Sequence, residues 1–306
     1  MPADPVLAVI GDRAPQAAYD RVYKEMGLDQ PIYEQYYRYL GELSRGDLGT
    51  SIMTSQPVLE DIKRFFPATL ELSTIATLIG ILLGVPMGVL AAVNQGRLID
   101  HFVRIFGLIG YSVPVFWLGM VGLLVFYGKL DWVAGPGRID VYYDGIVETV
   151  TGFILIDAAI AGEWDIFHNA VSHLILPSLL LGSFALAYIA RMTRSFMLDQ
   201  LNQEYILTAR VKGASETSVI WRHAFRNVLV QLITIIGLTY ASLLEGSVLT
   251  ETVFSWPGIG QYITTSLFNA DMNAVLGGTV VVGICFVGIN MLSDLLYKTV
   301  DPRARS

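Results

Sequence analysis

A polar, basic segment separates two long apolar runs of this chain, and residues 191–227 read RMTRSFMLDQLNQEYILTARVKGASETSVIWRHAFRN. Loops this rich in lysine and arginine stay on the cytoplasmic side of a membrane. In the middle of the segment, small residues and one glycine, Gly213, lie between two amphipathic halves. Composition leaves two interpretations open: an ordinary basic loop between membrane helices, or a docking element for a cytoplasmic partner. The basic residues are Arg191, Arg194, Arg210, Lys212, Arg222 and Arg226.

The composition of the whole chain indicates a membrane protein. Of the 306 residues, 53% are hydrophobic and 15% are charged, whereas soluble domains average about 25% charged residues. The net charge of -7 argues against nucleic-acid binding, because the chain has no domain-wide basic surface. The one cysteine, Cys285, lies in an apolar run, which excludes an internal disulfide and predicts a buried small hydrophobe.

Five apolar runs predict an all-α polytopic membrane protein with five visible transmembrane helices. A helix needs about 20 apolar residues to cross the hydrocarbon core. Pro86 predicts a kink in the first run, and Pro114 interrupts the second; both are tolerated inside a membrane bundle. The runs cover residues 68–93, 105–127, 174–190, 228–249 and 274–296.

The segments outside these runs divide the chain. Residues 1–67 are predicted to be an extracytoplasmic amino-terminal segment with short helices over 17–26 and 31–43, and residues 68–306 form the membrane domain. An acidic outer loop covers 128–171, in which the apolar stretch 151–161 is too short to span and predicts an interfacial or re-entrant helix.

The distribution of lysine and arginine sets the orientation. Basic and non-basic loops alternate, which predicts an amino terminus outside, a carboxyl terminus in the cytoplasm and residues 191–227 in the cytoplasm. Residues 1–67 would then lie outside although no apolar run ahead of them could export them. We therefore expect a further membrane helix to precede Met1.

Three acids lie within the apolar runs, all near run ends: Glu71, Glu245 and Asp294. Intramembrane acids are functional candidates by default. Glu71 and Glu245 are therefore candidate pathway residues, with a position at the interface or a structural partner as the alternative. Asp294 is expected to be interfacial.

Catalytic and metal-binding signatures do not occur in the sequence. The phosphate-binding pattern G-x-x-x-x-G-K-[ST] and the zinc pattern H-E-x-x-H are both missing. No catalytic residue and no metal site are predicted, since the histidines are too scattered for a metal cluster. They are His101, His168, His173 and His223.

Three further motifs lie along the chain. The first is Thr208-Ala209-Arg210-Val211-Lys212-Gly213-Ala214, followed by Trp221-Arg222-His223-Ala224-Phe225-Arg226-Asn227. The second is Glu251-Thr252-Val253-Phe254-Ser255-Trp256-Pro257-Gly258-Ile259-Gly260, and the third is the ending Tyr297-Lys298-Thr299-Val300-Asp301-Pro302-Arg303. Together they resemble the ABC importer permeases of the dipeptide, oligopeptide and nickel branch. The first motif is similar to the cytoplasmic EAA loop of that family, although Leu207 stands where the general pattern has glutamate.

The resemblance implies a type I ABC importer transmembrane fold in the bacterial inner membrane. It implies the permease subunit of an ATP-driven importer that translocates short peptides or related small solutes delivered by a periplasmic binding protein. Nickel chelates, opines and glutathione-like solutes stay open as substrates.

The implied partners are two cytoplasmic ATPase subunits, a second homologous permease, the binding protein and the lipid bilayer. No cofactor and no enzymatic activity are expected in this chain, because ATP and Mg²⁺ would be bound by the ATPases. The family's first membrane helix ends near P-G-D-P, so Ala3-Asp4-Pro5-Val6 would be the remnant of that junction.

The resemblance also assigns residues to roles. Those coupling the chain to the ATPase would be Thr208, Ala209, Arg210, Lys212, Gly213, Ala214, Arg222 and His223. Those forming an outer gate or turn would be Glu251, Phe254, Pro257, Gly258 and Gly260, with a plain turn as the alternative.

Two other classes of protein are the alternatives to an ABC importer permease. An ion-coupled secondary transporter would need mid-span charges or broken helices. A membrane-embedded enzyme would need a nucleophile–base or metal signature.

Overall fold

The computed structural model describes residues 4–11 and 13–300, and within these ranges the chain is helical, with one isolated β-bridge between Thr50 and Pro57. Two π-helical turns, Leu123–Tyr127 and Val219–Ala224, interrupt the α-helices. The α-helices are α1 Pro5–Ile10, α2 Gln16–Glu25, α3 Ile32–Ser44, α4 Val58–Val93, α5 Leu98–Ser112, α6 Val115–Gly122, α7 Ile154–Ala161, α8 Trp164–Leu201, α9 Glu204–Val211, α10 Glu216–Ser218, α11 Phe225–Gly246, α12 Val248–Val253, α13 Ile259–Phe268 and α14 Met272–Val300.

Four stretches of the described chain are long and apolar enough to cross a membrane: Val58–Val93, Trp164–Leu201, Glu216–Gly246 and Met272–Leu295. They correspond to four of the five apolar runs. The all-α membrane fold is confirmed.

The second apolar run, 105–127, is not one continuous span. The chain breaks between α5 and α6, where Pro114 lies immediately before Val115. Proline cannot donate a backbone hydrogen bond and disfavours helical geometry at the residue before it. The interruption predicted at Pro114 is therefore present, and the second run forms the broken pair α5 and α6 beside the four long helices.

Helix α4 begins at Val58, ten residues before the predicted boundary at Ala68. Pro57 precedes its first turn, and Pro67 lies inside the helix without ending it. The predicted boundary between an outer segment and the membrane domain therefore falls within a continuous helix. Helix α8 likewise extends well beyond the predicted run 174–190.

Helices α4 and α8 form the centre of the bundle, and small residues bring them together. A Cβ atom added to Gly80 would lie 2.5 Å from the Cβ atom of Ala185, and one added to Gly88 would lie 2.6 Å from the carbonyl oxygen of Ala190. Small residues at this spacing let membrane helices approach closely. The close approach fixes α8 in the middle of the molecule, where it reaches both the outer and the cytoplasmic elements.

The shorter predicted helices are also present. The predictions over 17–26 and 31–43 are confirmed as α2 and α3, and the stretch 151–161 forms α7. The residues Asp301, Pro302 and Arg303 of the closing motif, the tail after them and Ala3 lie outside the described residues.

Candidate functional site

The basic segment 191–227 contains two short helices joined at Gly213. Helix α9 ends with a hydrogen bond from the Gly213 amide to the Arg210 carbonyl oxygen, 2.9 Å. Gly213 itself has φ +82°, a left-handed conformation that glycine adopts without steric cost. The Ser215 side chain then accepts from the Ser218 amide at 3.4 Å and begins α10. The role of Gly213 in the fold is to turn the chain.

The inner face of this element packs on the membrane helices. Ile206 and Val219 are fully buried in a cluster that also contains Val89, Met197 and Val228. Ala209 and Ala214, both half-buried, pack against the same cluster. These two small residues therefore allow a close approach within the chain, between α9 and the ends of α4, α8 and α11.

The outer face of α9 carries an exposed ridge, which we call the coupling ridge: Leu207, Thr208, Val211 and Lys212. Leu207 is 64% exposed and Val211 is 80% exposed. Exposed apolar side chains on an otherwise polar segment mark interaction sites. Sequence reasoning missed Leu207 and Val211, although an apolar pair four residues apart on a helix was a usable signal.

The basic residues of the element have different surroundings. Arg210 donates to Glu216 at 2.9 and 3.2 Å, which ties α9 to α10 across the turn. Arg222 is exposed and His223 is half-buried, both on the π-helical turn before α11. A further link comes from the Asn227 side chain, which donates to the Tyr205 hydroxyl at 2.9 Å and joins α11 to α9.

The outer motif is organised around a fully buried carboxylate, Glu251. Its oxygens accept from the Thr69 hydroxyl at 2.7 Å, the Ser247 hydroxyl at 2.8 Å and the Gln261 amide at 2.9 Å. Burial raises the pKa of the Glu251 carboxyl, while these hydrogen bonds act in the opposite direction. Glu251 therefore connects α4, α12 and α13.

The turn after α12 wraps closely around that carboxylate. A side chain at Gly258 would overlap the Glu251 carboxyl group, and one at Gly260 would lie 2.9 Å from its Oε2. Trp256 is buried and its indole nitrogen donates to the Ala68 carbonyl oxygen at 2.9 Å. Phe254 is also buried, and Pro257 stands in the turn itself. The residues assigned to an outer gate thus form a turn packed against Ala68 and Thr69 of α4.

The two candidate pathway acids have opposite environments. Glu71 is buried and paired with Arg138, whose Nη2 lies 2.5 Å from Glu71 Oε2. Glu71 also accepts from the Leu155 amide at 3.0 Å, so it joins α4 to the outer loop and to α7. Glu245 is exposed on α11. Of the two alternatives for Glu71, the structure therefore favours a structural partner, Arg138. Glu245 is exposed, and its candidate role in the substrate pathway stays a prediction.

Among the described residues, no group of three or more His, Cys, Asp or Glu side chains is arranged to hold a metal ion. His173 lies against the outer loop, with its Nδ1 3.0 Å from the Gly135 carbonyl oxygen.

The structure is that of a helical membrane protein with several apolar spans, an exposed apolar ridge on α9 and a packed turn after α12. Residues 84–306 match the family model described as "Binding-protein-dependent transport system inner membrane component". The chain belongs to this family and is a multi-pass protein of the bacterial inner membrane.

Curated relatives cover nearly the whole chain. It is 47% identical to the "Probable D,D-dipeptide transport system permease protein" of Escherichia coli (strain K12) over 303 residues, covering 99% of this chain and 89% of that protein. It is 43% identical to the di/tripeptide transport system permease protein of Pseudomonas aeruginosa (strain UCBPP-PA14), covering 100% of this chain and 90% of that protein.

A solved structure shows the same fold. A chain of the MetNI methionine ABC transporter, in an inward-facing crystal form, superposes with a TM-score of 0.56 at 18% sequence identity. The match covers 76% of this chain and 93% of that one. The fold is that of the transmembrane subunit of a type I ABC importer, as the motifs indicated.

Proposed function

We propose that this chain is the permease subunit of an ATP-driven importer that carries short peptides into the bacterial cytoplasm. The observation that carries the proposal is the coupling ridge, an exposed apolar surface on the most basic segment of the chain. The names of the relatives, which are permeases of dipeptide and tripeptide transport systems, support peptides as the substrate.

The chain itself performs no covalent chemistry in this proposal. ATP and Mg²⁺ are bound by two cytoplasmic ATPase subunits, and each permease inserts its coupling ridge into a groove on one ATPase. Closure of the ATPases on ATP moves the ridge. Because α9 packs on the ends of α4, α8 and α11, the displacement reaches the membrane helices as a rigid-body motion.

The remaining partners follow from the same assignment. A second homologous permease completes the path, and a periplasmic binding protein delivers peptides to the outer surface formed by residues 1–67 and the loop 128–171. The turn anchored by Glu251 serves the outer gate by holding α12 and α13 against α4. The carboxyl terminus lies in the cytoplasm.

Uptake by the complete complex in proteoliposomes tests the proposal. Dialanine should accumulate only with ATP on the ATPase side and the binding protein on the other side. Dissipating the proton and sodium gradients with ionophores should leave uptake unchanged. Uptake that needs an ion gradient and continues without ATP would instead identify a secondary transporter.

A further inference from the structure

One face of the membrane helices carries polar side chains in register. On α11, the polar residues Gln231, Ser242 and Glu245 are exposed at helical spacing and form one stripe, which the apolar Leu238 shares. On α8, Arg191 and Ser195 are exposed, following the half-buried Tyr188 on the same face of the helix. These stripes bring hydroxyl, amide and charged groups to the surface of the subunit.

Two other helices of the bundle have exposed faces made of apolar side chains. Helix α4 presents Leu78, Leu82 and Leu83, and helix α14 presents Ile284, Val287 and Met291. Ionisable groups within membrane helices face water-filled cavities or protein, because hydrocarbon does not solvate them. The apolar faces therefore suit lipid, and the polar face suits a water-filled cavity.

Two adjoining cavities follow the polar face, and together we call them the α8 groove. The outer cavity, about 430 Å³, lies between α6, α8 and α11; its lining is mostly apolar, with hydroxyl groups from Tyr188, Thr239 and Ser242. The inner cavity, about 330 Å³, lies between α5 and α8 and is lined by Ser112, Tyr188 and Arg191 among others. Tyr188 lines both, so the groove continues along α8.

The charges of the α8 groove differ between its ends. The described residues that line the outer cavity are uncharged, and the exposed Glu245 follows one of them, Ser242, by three residues on α11. Arg104, Arg191 and Arg194 line the inner cavity. The groove therefore has an uncharged outer end and guanidinium groups at its inner end.

The inner arginines are held in position. Arg194 donates to the buried Asp100 at 2.6 and 2.8 Å, and these hydrogen bonds hold the pKa of the Asp100 carboxyl at about 2. The guanidinium carbon of Arg191 lies 5.4 Å from the centre of the Tyr188 ring, in cation–π contact. Arginine at such a site suits a carboxylate, which it can bind through two parallel hydrogen bonds.

We propose, on the basis of the importer function above, that the α8 groove is the substrate route and that Arg191, with Arg104, receives the free carboxylate of the peptide in the cytoplasmic half. Ten residues of α8 separate Leu181 in the outer cavity from Arg191, a rise of about 15 Å. An extended dipeptide spans roughly 7 Å, so it contacts the two ends in turn. The hydroxyl groups of Ser112, Tyr188 and Ser242 favour a peptide over the acyl chain of an anionic phospholipid.

The reactivity of introduced cysteines toward a water-soluble reagent distinguishes a water-filled substrate route from a groove filled by lipid. In a Cys285→Ala background, Ser242→Cys and Ser195→Cys place thiols in the groove, and Val287→Cys on α14 is the matched control, since Val287 is 65% exposed. A charged methanethiosulfonate reagent, added to the complex in nanodiscs, should modify both groove thiols and leave Val287→Cys unmodified. Dialanine with ATP and the binding protein should slow modification at least twofold. Unreactive groove thiols would indicate lipid, and reactivity unaffected by dialanine would also overturn the proposal.

Substitution of Arg191 tests whether it binds the peptide carboxylate. Loss of carboxylate binding should lower uptake and leave ATP hydrolysis unchanged, whereas loss of a structural role should lower both. Arg191→Gln should lower dialanine uptake about tenfold or more, the loss expected for one charge-assisted hydrogen bond, while ATP hydrolysis stimulated by the binding protein stays within about twofold of the wild type. Arg191→Lys should retain most uptake, and Arg97→Gln, an exposed arginine in the loop before α5, should match the wild type.

Two further outcomes separate the proposed carboxylate contact of Arg191 from the proposed peptide-import function. Equal loss of uptake and ATP hydrolysis in Arg191→Gln would show a structural role and overturn the carboxylate contact alone. A wild-type complex that hydrolyses ATP in response to its binding protein but imports no dialanine would overturn the peptide assignment and this inference with it.

Discussion

The turn around Glu251 and the coupling ridge use charged side chains in opposite ways. Glu251 and the pair Glu71–Arg138 are buried and hydrogen-bonded, and they fasten loops to α4. The coupling ridge exposes apolar side chains, and the pair Arg210–Glu216 is at the surface. Buried, hydrogen-bonded charges fix a local geometry, whereas exposed apolar side chains are available to a partner. The difference indicates that the turn around Glu251 has a structural role and that the coupling ridge is a binding surface.

The largest expected effect on stability comes from removing one partner of the outer ion pair. Arg138→Met leaves Glu71 buried without its counter-charge, which costs about 3–5 kcal/mol. Thermal unfolding of the purified permease should show a clearly lowered midpoint. Arg210→Met, at the surface pair, is the matched control and should cost no more than about 1 kcal/mol. Equal losses of stability in the two variants would contradict the difference between the buried pair and the surface pair.

The next effect is at the buried carboxylate of the outer turn. Glu251→Leu leaves the Thr69 and Ser247 hydroxyls and the Gln261 amide without an acceptor, at about 1–3 kcal/mol for each group that finds no other partner. Hydrogen exchange should increase in α12 and α13. The control, Glu245→Leu, removes an exposed acid and should leave exchange there unchanged. Unchanged exchange in Glu251→Leu would mean that the carboxylate does not hold the turn.

A smaller effect is expected at the cytoplasmic turn. Gly213→Ala keeps an open site but forces a left-handed conformation on alanine, at about 1–2 kcal/mol. Hydrogen exchange in α9 and α10 should increase while the outer turn is unaffected. Gly283→Ala, on α14 with open space around it, should be neutral. If Gly213→Ala behaves like Gly283→Ala, the left-handed turn does not order the element.

The smallest effect concerns pH. Arg194 lowers the folded-state pKa of Asp100 to about 2, below the ordinary value of about 3.9. Since the folded-state pKa is depressed, the stability from this pair is fully present above about pH 4 and is lost as the pH falls toward 2. Unfolding midpoints of wild type and Asp100→Asn should therefore differ by a constant amount between pH 5 and pH 8. A difference that changes within that window would contradict this account of the pair.

Local patterns were sufficient for much of the fold. The apolar runs located the four long helices, and Pro114 marked the break between α5 and α6. The basic residues and the motif around Gly213 located the cytoplasmic element. Each of these signals is contained in a short stretch of sequence, where helix length, proline geometry and charge act directly.

Contacts between distant residues were beyond the sequence patterns. The sequence around Glu71 does not indicate that Arg138, 67 positions away, is its partner. The motif that contains Glu251 likewise does not indicate that this carboxylate is buried against Thr69. The α8 groove also depends on the packing of four helices, α5, α6, α8 and α11, which lie far apart in the sequence. Burial of a polar residue is decided by its tertiary partners, which periodicity cannot supply.

The affinity of the permease for its ATPase shows whether the coupling ridge is the contact between them. Val211→Glu places a charge at the most exposed apolar side chain of the ridge, and Asn202→Glu places the same charge on an exposed position just before α9. We expect Val211→Glu to weaken ATPase binding at least tenfold, about 1.4 kcal/mol, with an unchanged unfolding midpoint, and Asn202→Glu to bind like the wild type. Wild-type affinity in Val211→Glu would contradict the assignment of the ridge as the ATPase contact.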